Sequence, residues 1–416
     1  MRLFAFEGLR YGARAGDAGK LAAPPYDQID DVARDRFQAA SPHHFVHLTR
    51  PVAAGAADPY RHAADLHRHW LHDGIVVRDE QPSLYLYVIE LSGGGSGASG
   101  RRLGVMALVG YAPASEIRPH EQTLDKPLAD RLALLEATRV DLEPALLLAE
   151  DGGELDDLLA ADLEGRPLVD YGDDAGHHHL LFRIADPGRI AAYQRALAAR
   201  PAAIADGHHR YKVGQRFAAE HPGSAGTAAG AKLAVVTSMS SRALTIDPIH
   251  RALRQAIQAI DPALFADLRS AAVPFQGASG AELARAVAAA PQPALGVWVA
   301  GRPPEIWHLL PASSARGAGN TPPLAVKILQ EGVFPALGLA PQAATDGTLV
   351  YRSDADTLYA QLERGELGTG FWLPPMLPAD FAAAIAQGEL LPPKSTRFLP
   401  KAMSGLVWSD HQSRLT

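Results

Sequence analysis

The chain contains no cysteine. That absence removes disulfides, thiolate nucleophiles and thiolate-bound metal centres from consideration. Charged residues make up only 20% of the sequence, and acidic residues outnumber basic ones by 46 to 39, for a formal net charge of −7. A surface built to coat nucleic acid carries the opposite balance, so the charge weighs against a nucleic-acid partner while leaving room for a local anion site. No run of about 18 apolar residues occurs, so no segment reads as a membrane-spanning helix. The opening Met1-Arg2-Leu3-Phe4-Ala5-Phe6-Glu7-Gly8 is charged too early, and its apolar run is too short, for a secretory signal. A cytoplasmic protein is expected. Apolar residues are plentiful, 47% of 416 positions, enough for a sizeable core in one elaborated domain or in two or three smaller ones.

Hydrophobic periodicity gives a mixed α+β chain without internal repeats. Leu84–Glu90 alternates as a half-buried strand, paired in a hairpin with Arg102–Tyr111 across the Gly/Ser-rich loop from Ser92 to Gly100. That loop has no lysine in phosphate-loop register and reads as a connector. Helical spacing marks Pro59–Asp73, Leu128–Thr138, Ile190–Ala199, Arg210–Glu220, Glu282–Ala290 and Leu324–Leu337. Short strands are expected at Ala145–Ala149, His178–Ile184, Ala203–Ala205, Leu233–Met239, Leu295–Ala300 and Glu305–Leu310, with a last strand and helix between Thr369 and Gln387. His43–His47 reads as part of a strand. Beyond Arg251 the sequence turns alanine-rich, which suggests residues 1–255 as the region carrying the chemistry and 256–416 as an α+β region whose tail, 392–407, returns to it.

The sharpest feature is Ile204-Ala205-Asp206-Gly207-His208-His209-Arg210-Tyr211. An apolar strand end meets a glycine and then a helix opened by polar residues. A helix N-terminus presents backbone N–H groups and a positive dipole end, which suit an anion. Gly207 allows close backbone approach, and His208, His209 and Arg210 can add charge-assisted hydrogen bonds to phosphate oxygens. Two other readings stay open from the residues alone: a helix cap by Asp206, and a metal site using the histidine pair.

Arg118-Pro119-His120-Glu121-Gln122-Thr123 places an imidazole and a carboxylate side by side after a rigid proline, and Glu121 could accept a proton from a substrate hydroxyl; the alternative is a solvated turn. Asp130 and Arg131 read as an ion pair or capping element. In the tail, Lys394-Ser395-Thr396 with Lys401 and Ser404-Gly405 could clamp a phosphate between prolines, although the spacing matches no Walker loop and a basic turn is the alternative. Histidines 43, 44, 47, 62, 67, 69, 72 and 177–179 lack the carboxylate pattern of a metal centre, and no metal ligands are assigned.

Taken together these blocks resemble the prokaryotic family known as domain of unknown function 1015. They are Ala23-Pro24-Pro25-Tyr26-Asp27, Arg118–Thr123 with Asp130-Arg131, Ala205–Tyr211, His250-Arg251, and Pro393-Lys394-Ser395-Thr396 followed by Pro400-Lys401 and Ser404-Gly405-Leu406-Val407. A His-Glu pair followed later by Asp-Gly-His-His-Arg is also similar to the ParB/sulfiredoxin-type nucleotide-binding fold, within it most of all to the free-serine kinases, which phosphorylate the hydroxyl of L-serine. That resemblance implies a ParB-like core elaborated by N- and C-terminal extensions. It makes Glu121 the base, with His120 beside it, and lines the nucleotide and substrate with Asp206, His208, His209 and Arg210. Three departures stand out: a wider gap between the two motifs, Glu143-Pro144 where family members commonly have Ser-Pro, and no aromatic at Arg397 or Leu399. The sulfiredoxin branch needs a cysteine and is excluded.

The function expected is a small-molecule kinase acting on a hydroxyl. Glu121, His120, Asp206 and His208 would be catalytic, and Gly207, His209, Arg210, Tyr211, Lys394, Ser395, Thr396 and Lys401 would bind ATP or ADP with Mg²⁺. Its partners would be the nucleotide and a small-molecule acceptor, and a homo-oligomer is allowed for. The alternatives are a ParB-like nucleotide switch and a phosphate-ester hydrolase.

Overall fold

The computed structural model describes residues 1–53, 58–92, 100–121, 125–221, 223, 226–257, 266–310, 324–340, 343 and 346–416. The chain is α+β and divides into two compact units. The first comprises Met1–Pro119, Thr123–Leu244 and Pro400–Thr416; the second comprises His120–Gln122 and Thr245–Leu399. Where the sequence suggests one boundary at 255, the chain changes unit at 244/245, again at 399/400, and briefly at 120–122.

The first unit is organised by a nine-stranded mixed sheet: β1 (Leu3–Phe4), β2 (Leu84–Leu91), β3 (Gly100–Gly110), β4 (Ile117–Arg118), β5 (Ala145–Ala149), β6 (Val169–Gly172), β7 (His178–Ile184), β8 (Ala202–Asp206) and β9 (Ala231–Ser238). The order is β4-β8-β5-β9-β3-β2-β7-β6, with β1 also pairing β3. The hairpin expected from alternation is present, Tyr87 facing Gly104 and Ile89 facing Arg102. Its loop at 93–99 lies outside the described residues.

Successive strand residues point to opposite faces. Leu84, Leu86 and Val88, with Val105, Ala107, Val109, Leu147, Ile204, Ala234 and Val236, form one apolar face. It packs on Leu155 and Leu159 of the helix Glu154–Ala161 and on Tyr193 and Leu197 of the helix Pro187–Leu197. The intervening residues give the opposite face a different character: Tyr85, Tyr87, Arg102 and His179, all buried. Around it the amino-terminal segment and the tail contribute an aromatic cluster in which Tyr11, Phe45 and His67 contact Trp408. His67, expected only as a helical histidine, accepts a 3.0 Å hydrogen bond from Trp408 Nε1.

The second unit holds a six-stranded antiparallel sheet: β10 (His250–Leu253), β11 (Arg269–Pro274), β12 (Ala294–Val299), β13 (Glu305–Leu309), β14 (Leu349–Arg352) and β15 (Thr369–Trp372), in the order β11-β13-β12-β15-β10-β14. One face packs on Val326, Leu329 and Phe334, the other on helices Gly280–Ala289 and Ala355–Glu363. A separate ribbon joins Thr245–Asp247 to Arg397–Leu399.

Two local expectations are corrected. Residues 43–47 are not a strand, since Val46–Thr49 forms a short helix with His44 buried ahead of it. The helix expected over Leu324–Leu337 is broken into Ala325–Ile328, a π turn at Leu329–Val333 and Phe334–Ala336. Pro335 lacks an N–H and its ring crowds the carbonyl four residues back, which accounts for the widened turn.

Candidate functional site

The strand-to-helix turn expected at Asp206 is present, and a β-bulge aims it. β8 pairs β5 with Ile204 opposite Leu147, but the register then slips so that Asp206 lies opposite Leu146. Without the slip Asp206 would share the apolar face with Ile204. The extra residue turns its carboxylate to the polar face instead. Gly207 follows at φ 87 and begins the helix His208–Glu220, a left-handed conformation that glycine adopts without steric cost. It provides no side-chain cap, so the Asp206 carboxylate is available for other partners.

Those partners are cations. Arg210 donates to Asp206 and to the Pro144 carbonyl, and Lys401 Nζ lies 2.9 Å from Asp206 Oδ1 and 2.6 Å from Asp27 Oδ2. Burial would raise the Asp206 carboxyl, but Arg210 and then Lys401 outweigh it and hold it down at about 2. His208, buried on the first helical turn, adds to that field. Lys401 itself is raised: burial disfavours its charge, yet Asp206 and Asp27 more than offset this.

The same neighbourhood gathers the other first-unit blocks. Ala23 and Ser404 pair as a β-bridge. Glu143 Oε1 accepts from Tyr26 N at 2.9 Å and from Ser404 Oγ at 3.3 Å, so the Glu-Pro that departs from the family pattern ties the proline-rich segment to the tail. Arg131 donates to Asp130 and to Thr49 O and sits 4.2 Å over the Tyr26 ring. Lys232, buried and unforeseen from the sequence, bonds Asp141 and the Glu143 carbonyl. Segments 23–27, 130–131, 143–144, 206–210 and 401–404 thus meet within one unit.

Two sequence expectations change here. Arg210 is buried and engaged by Asp206 and Pro144 O, so its first task is to hold the turn. Tyr211 belongs to the apolar core, where its hydroxyl accepts from Ala112 N at 3.3 Å and its ring meets Tyr111 edge-on. His209 is partly exposed on the first turn of the helix.

The second unit holds the remaining motifs. His120 is buried, its Nε2 2.7 Å from Thr396 Oγ1 and its ring edge-on to Phe381 and Phe398. Its main chain accepts from Leu391 N at 2.8 Å. Glu121 Oε1 accepts from Lys394 N at 3.4 Å. Arg251 is buried and donates to the carbonyls of Ile249, Pro393 and Lys394, while Ser395 Oγ donates to Pro392 O at 2.5 Å. Burial pulls Arg251 down to about 10. The Lys394 side chain is exposed. Gln122 and Thr123 lie outside the described residues. Lys394–Thr396 therefore cluster with His120-Glu121, and Lys401 with Asp206.

The family model described as "Protein of unknown function (DUF1015)" matches residues 3–295. The chain belongs to this family. The tail blocks from Pro393 onward lie beyond the matched residues. No curated protein matches the chain. Among solved structures it is similar to a conserved hypothetical protein from Pyrococcus furiosus, at 14% identity over 71% of this chain and 90% of that one, TM-score 0.36. It is also similar to a free serine kinase in complex with AMP, at 14% identity over 70% and 88%, TM-score 0.37. A C-terminally truncated SbnI from Staphylococcus aureus aligns at 13% identity over 70% and 82%, TM-score 0.35. Among the described residues no helix is long and apolar enough to cross a membrane.

Proposed function

We propose that this protein is a nucleotide-dependent kinase that transfers a phosphoryl group to the hydroxyl of a small molecule, with free L-serine the first acceptor to test. The observation that carries the reading is the ammonium of Lys401, held between a mostly buried carboxylate, Asp206, at 22% side-chain exposure, and a more exposed one, Asp27, at 44%. A phosphate can replace the exposed partner at little cost while the buried one stays paired. Arg210 fixes Asp206 throughout, and its guanidinium lies over Gly207, 3.1 Å from where a Cβ would stand, so a phosphate at the helix start would meet that cation as well.

Asp27 and Asp206 also bear on Mg²⁺. Among the described residues no group of three His, Asp or Glu gathers to hold a metal. Two carboxylates do converge, and Mg²⁺ in nucleotide sites is commonly held by one or two carboxylates together with phosphates and water. Asp27, released from Lys401, is the residue that fits it. When bound, the ion would neutralise charge on the transferring phosphate. Glu121 is assigned the base, taking the proton of the acceptor hydroxyl as the new O–P bond forms and the nucleotide leaves as the diphosphate or monophosphate.

The test is incubation of purified protein with ATP or ADP and a panel of hydroxyl compounds beginning with L-serine, read as phosphorylated product by mass spectrometry. Glu121→Gln is expected to lower turnover by about 10²–10⁴-fold with nucleotide affinity nearly unchanged. Free phosphate without an acceptor would point instead to a hydrolase, and binding without turnover to a switch.

A further inference from the structure

The polar face of the nine-stranded sheet contains a buried chain of hydrogen bonds that the site itself does not use. Tyr87 Oη accepts from Met403 N at 3.2 Å and lies 2.7 Å from His179 Nδ1. On the far side of the ring, His179 Nε2 is 3.1 Å from Asp173 Oδ2. The Asp173 carboxylate is fixed in turn, since its Oδ1 accepts from Ala175 N and His177 N, each at 2.9 Å. One strand away, Arg102 donates to the Pro400 carbonyl. Tyr87 faces Gly104, and Arg102 lies two residues before that glycine on the same face. A Cβ on Gly104 would come within 2.6 Å of Val235 Cγ1, so the position between the two polar residues is kept bare.

The two anchors bracket Lys401, one at residue 400 and one at 403. We propose that Asp173, His179 and Tyr87 form a positioning relay that, with Arg102, fixes the tail backbone so that the Lys401 ammonium reaches Asp27 and Asp206. The proposal rests on the kinase reading only in taking Lys401 for a phosphate ligand. Proton counting gives the relay a direction. Tyr87 has one hydroxyl proton and its oxygen already accepts from Met403, so that proton goes to Nδ1. His179 is then the Nε2–H tautomer, donating to Asp173, and must be neutral. A phenylalanine and a leucine would fill this face equally well but leave the Met403 N–H without the Tyr87 oxygen it donates to, while the tail's pairing with Ala23 is held by Ser404. A relay running from a partly exposed aspartate to a tail amide is therefore not required for packing.

Protonation of His179 would put a second N–H against the Tyr87 hydroxyl and unsettle the Met403 anchor. The groups facing the imidazole are Asp173, His177 and Tyr171 on its own hairpin and Tyr87 and Arg102 from the neighbouring strands. Burial is the largest influence and lowers its pKa, against the opposing pull of Asp173. The neutral form is therefore favoured at neutral pH and gives way on acidification, through a pKa below the ordinary histidine value.

The experiment uses the full chain and two readouts that need no nucleotide: hydrogen exchange at the Met403 amide, corrected for intrinsic rate, and acylation of Lys401 by an amine-reactive ester followed by mass spectrometry. Tyr87→Phe is expected to speed Met403 exchange at least tenfold and Lys401 acylation at least threefold. His179→Gln keeps a neutral acceptor and donor and is expected to restore wild-type protection at neutral pH. It should also abolish the acid-dependent loss of protection that the relay predicts for the wild type. His179→Leu should behave like Tyr87→Phe. Wild-type exchange and acylation in both Tyr87→Phe and His179→Leu, or an acid profile unchanged in His179→Gln, overturns the relay. ATP and ADP affinities are measured alongside. If the relay variants shift Lys401 but the wild type binds neither nucleotide, the relay stands and the kinase reading falls.

Discussion

Replacing Lys401 by methionine keeps most of the side-chain volume and removes one charge from the centre of the first-unit cluster. The ammonium lies 2.6 Å from Asp27 and 2.9 Å from Asp206, with only 12% of its side chain exposed. Removing one partner of a buried ion pair costs roughly 3–5 kcal/mol. Here Arg210 remains beside Asp206, and Asp27, at 44% side-chain exposure, is relieved by solvent, so the expected loss is about 2–3 kcal/mol at neutral pH. The pH dependence has a definite sign. Asp206 is depressed in the folded state, so its contribution is full above the ordinary aspartate range and fades as pH falls toward about 2. The deficit of Lys401→Met should therefore be largest at neutral pH and shrink steadily on acidification. Lys401 is raised in the folded state, so its contribution is full below the ordinary lysine value and is lost as pH climbs through the higher folded one. Urea unfolding of both proteins across this range measures the difference. Equal midpoints at neutral pH, or a deficit that does not shrink in acid, would refute the ion-pair accounting.

Asp27→Asn removes the exposed carboxylate that competes with phosphate for Lys401, so it should tighten Mg²⁺-free nucleotide binding several-fold by calorimetry. Weaker binding without Mg²⁺ would rule out the partner exchange. Lys394 adopts φ 59, a left-handed conformation costing a non-glycine residue roughly 1–2 kcal/mol. After glycine's own entropic penalty, Lys394→Gly should still stabilise the protein in thermal melts, and an unchanged or lower midpoint counts against strain there. Arg251→Lys gives up a planar fork that serves three carbonyls and should cost about 2–3 kcal/mol. A calorimetric melt indistinguishable from wild type would show that the fork carries no such weight.

The elements that the sequence revealed are those in which one local pattern suffices. Alternation located β2 and β3, and an apolar run stopped by glycine located β8 and the helix after it. What stayed hidden depends on distant partners. Asp27 and Lys401 are 374 positions apart, and nothing near either marks the other. Arg210 looks like a phosphate ligand in its own pentapeptide, but the Pro144 carbonyl that engages it lies 66 positions away. The Ile204/Asp206 bulge could not be read either, because a register slip is decided by the neighbouring strand. Tyr87 sits in a mostly apolar strand, where alternation says nothing of its hydroxyl, and His179 is one of three consecutive histidines that nothing local tells apart. The tail motif reads as one clamp in the sequence, whereas the chain leaves one unit at Leu399 and enters the other at Pro400.

That last division bears on how the kinase reading should be tested. Each unit's motif cluster is internally paired: Asp206 with Arg210 and Lys401, Glu121 with the Lys394 amide, Arg251 with the carbonyls at 393 and 394. Substitutions in one cluster therefore need not disturb the folding of the other. Variants at Asp27 or Lys401 should act on nucleotide affinity, and variants at Glu121 on turnover with affinity preserved. If a first-unit variant and Glu121→Gln instead lower affinity and turnover together and by the same factor, the two clusters do not hold the separate roles assigned to them. Motif order along the chain would then have suggested a division of labour that the chemistry does not use.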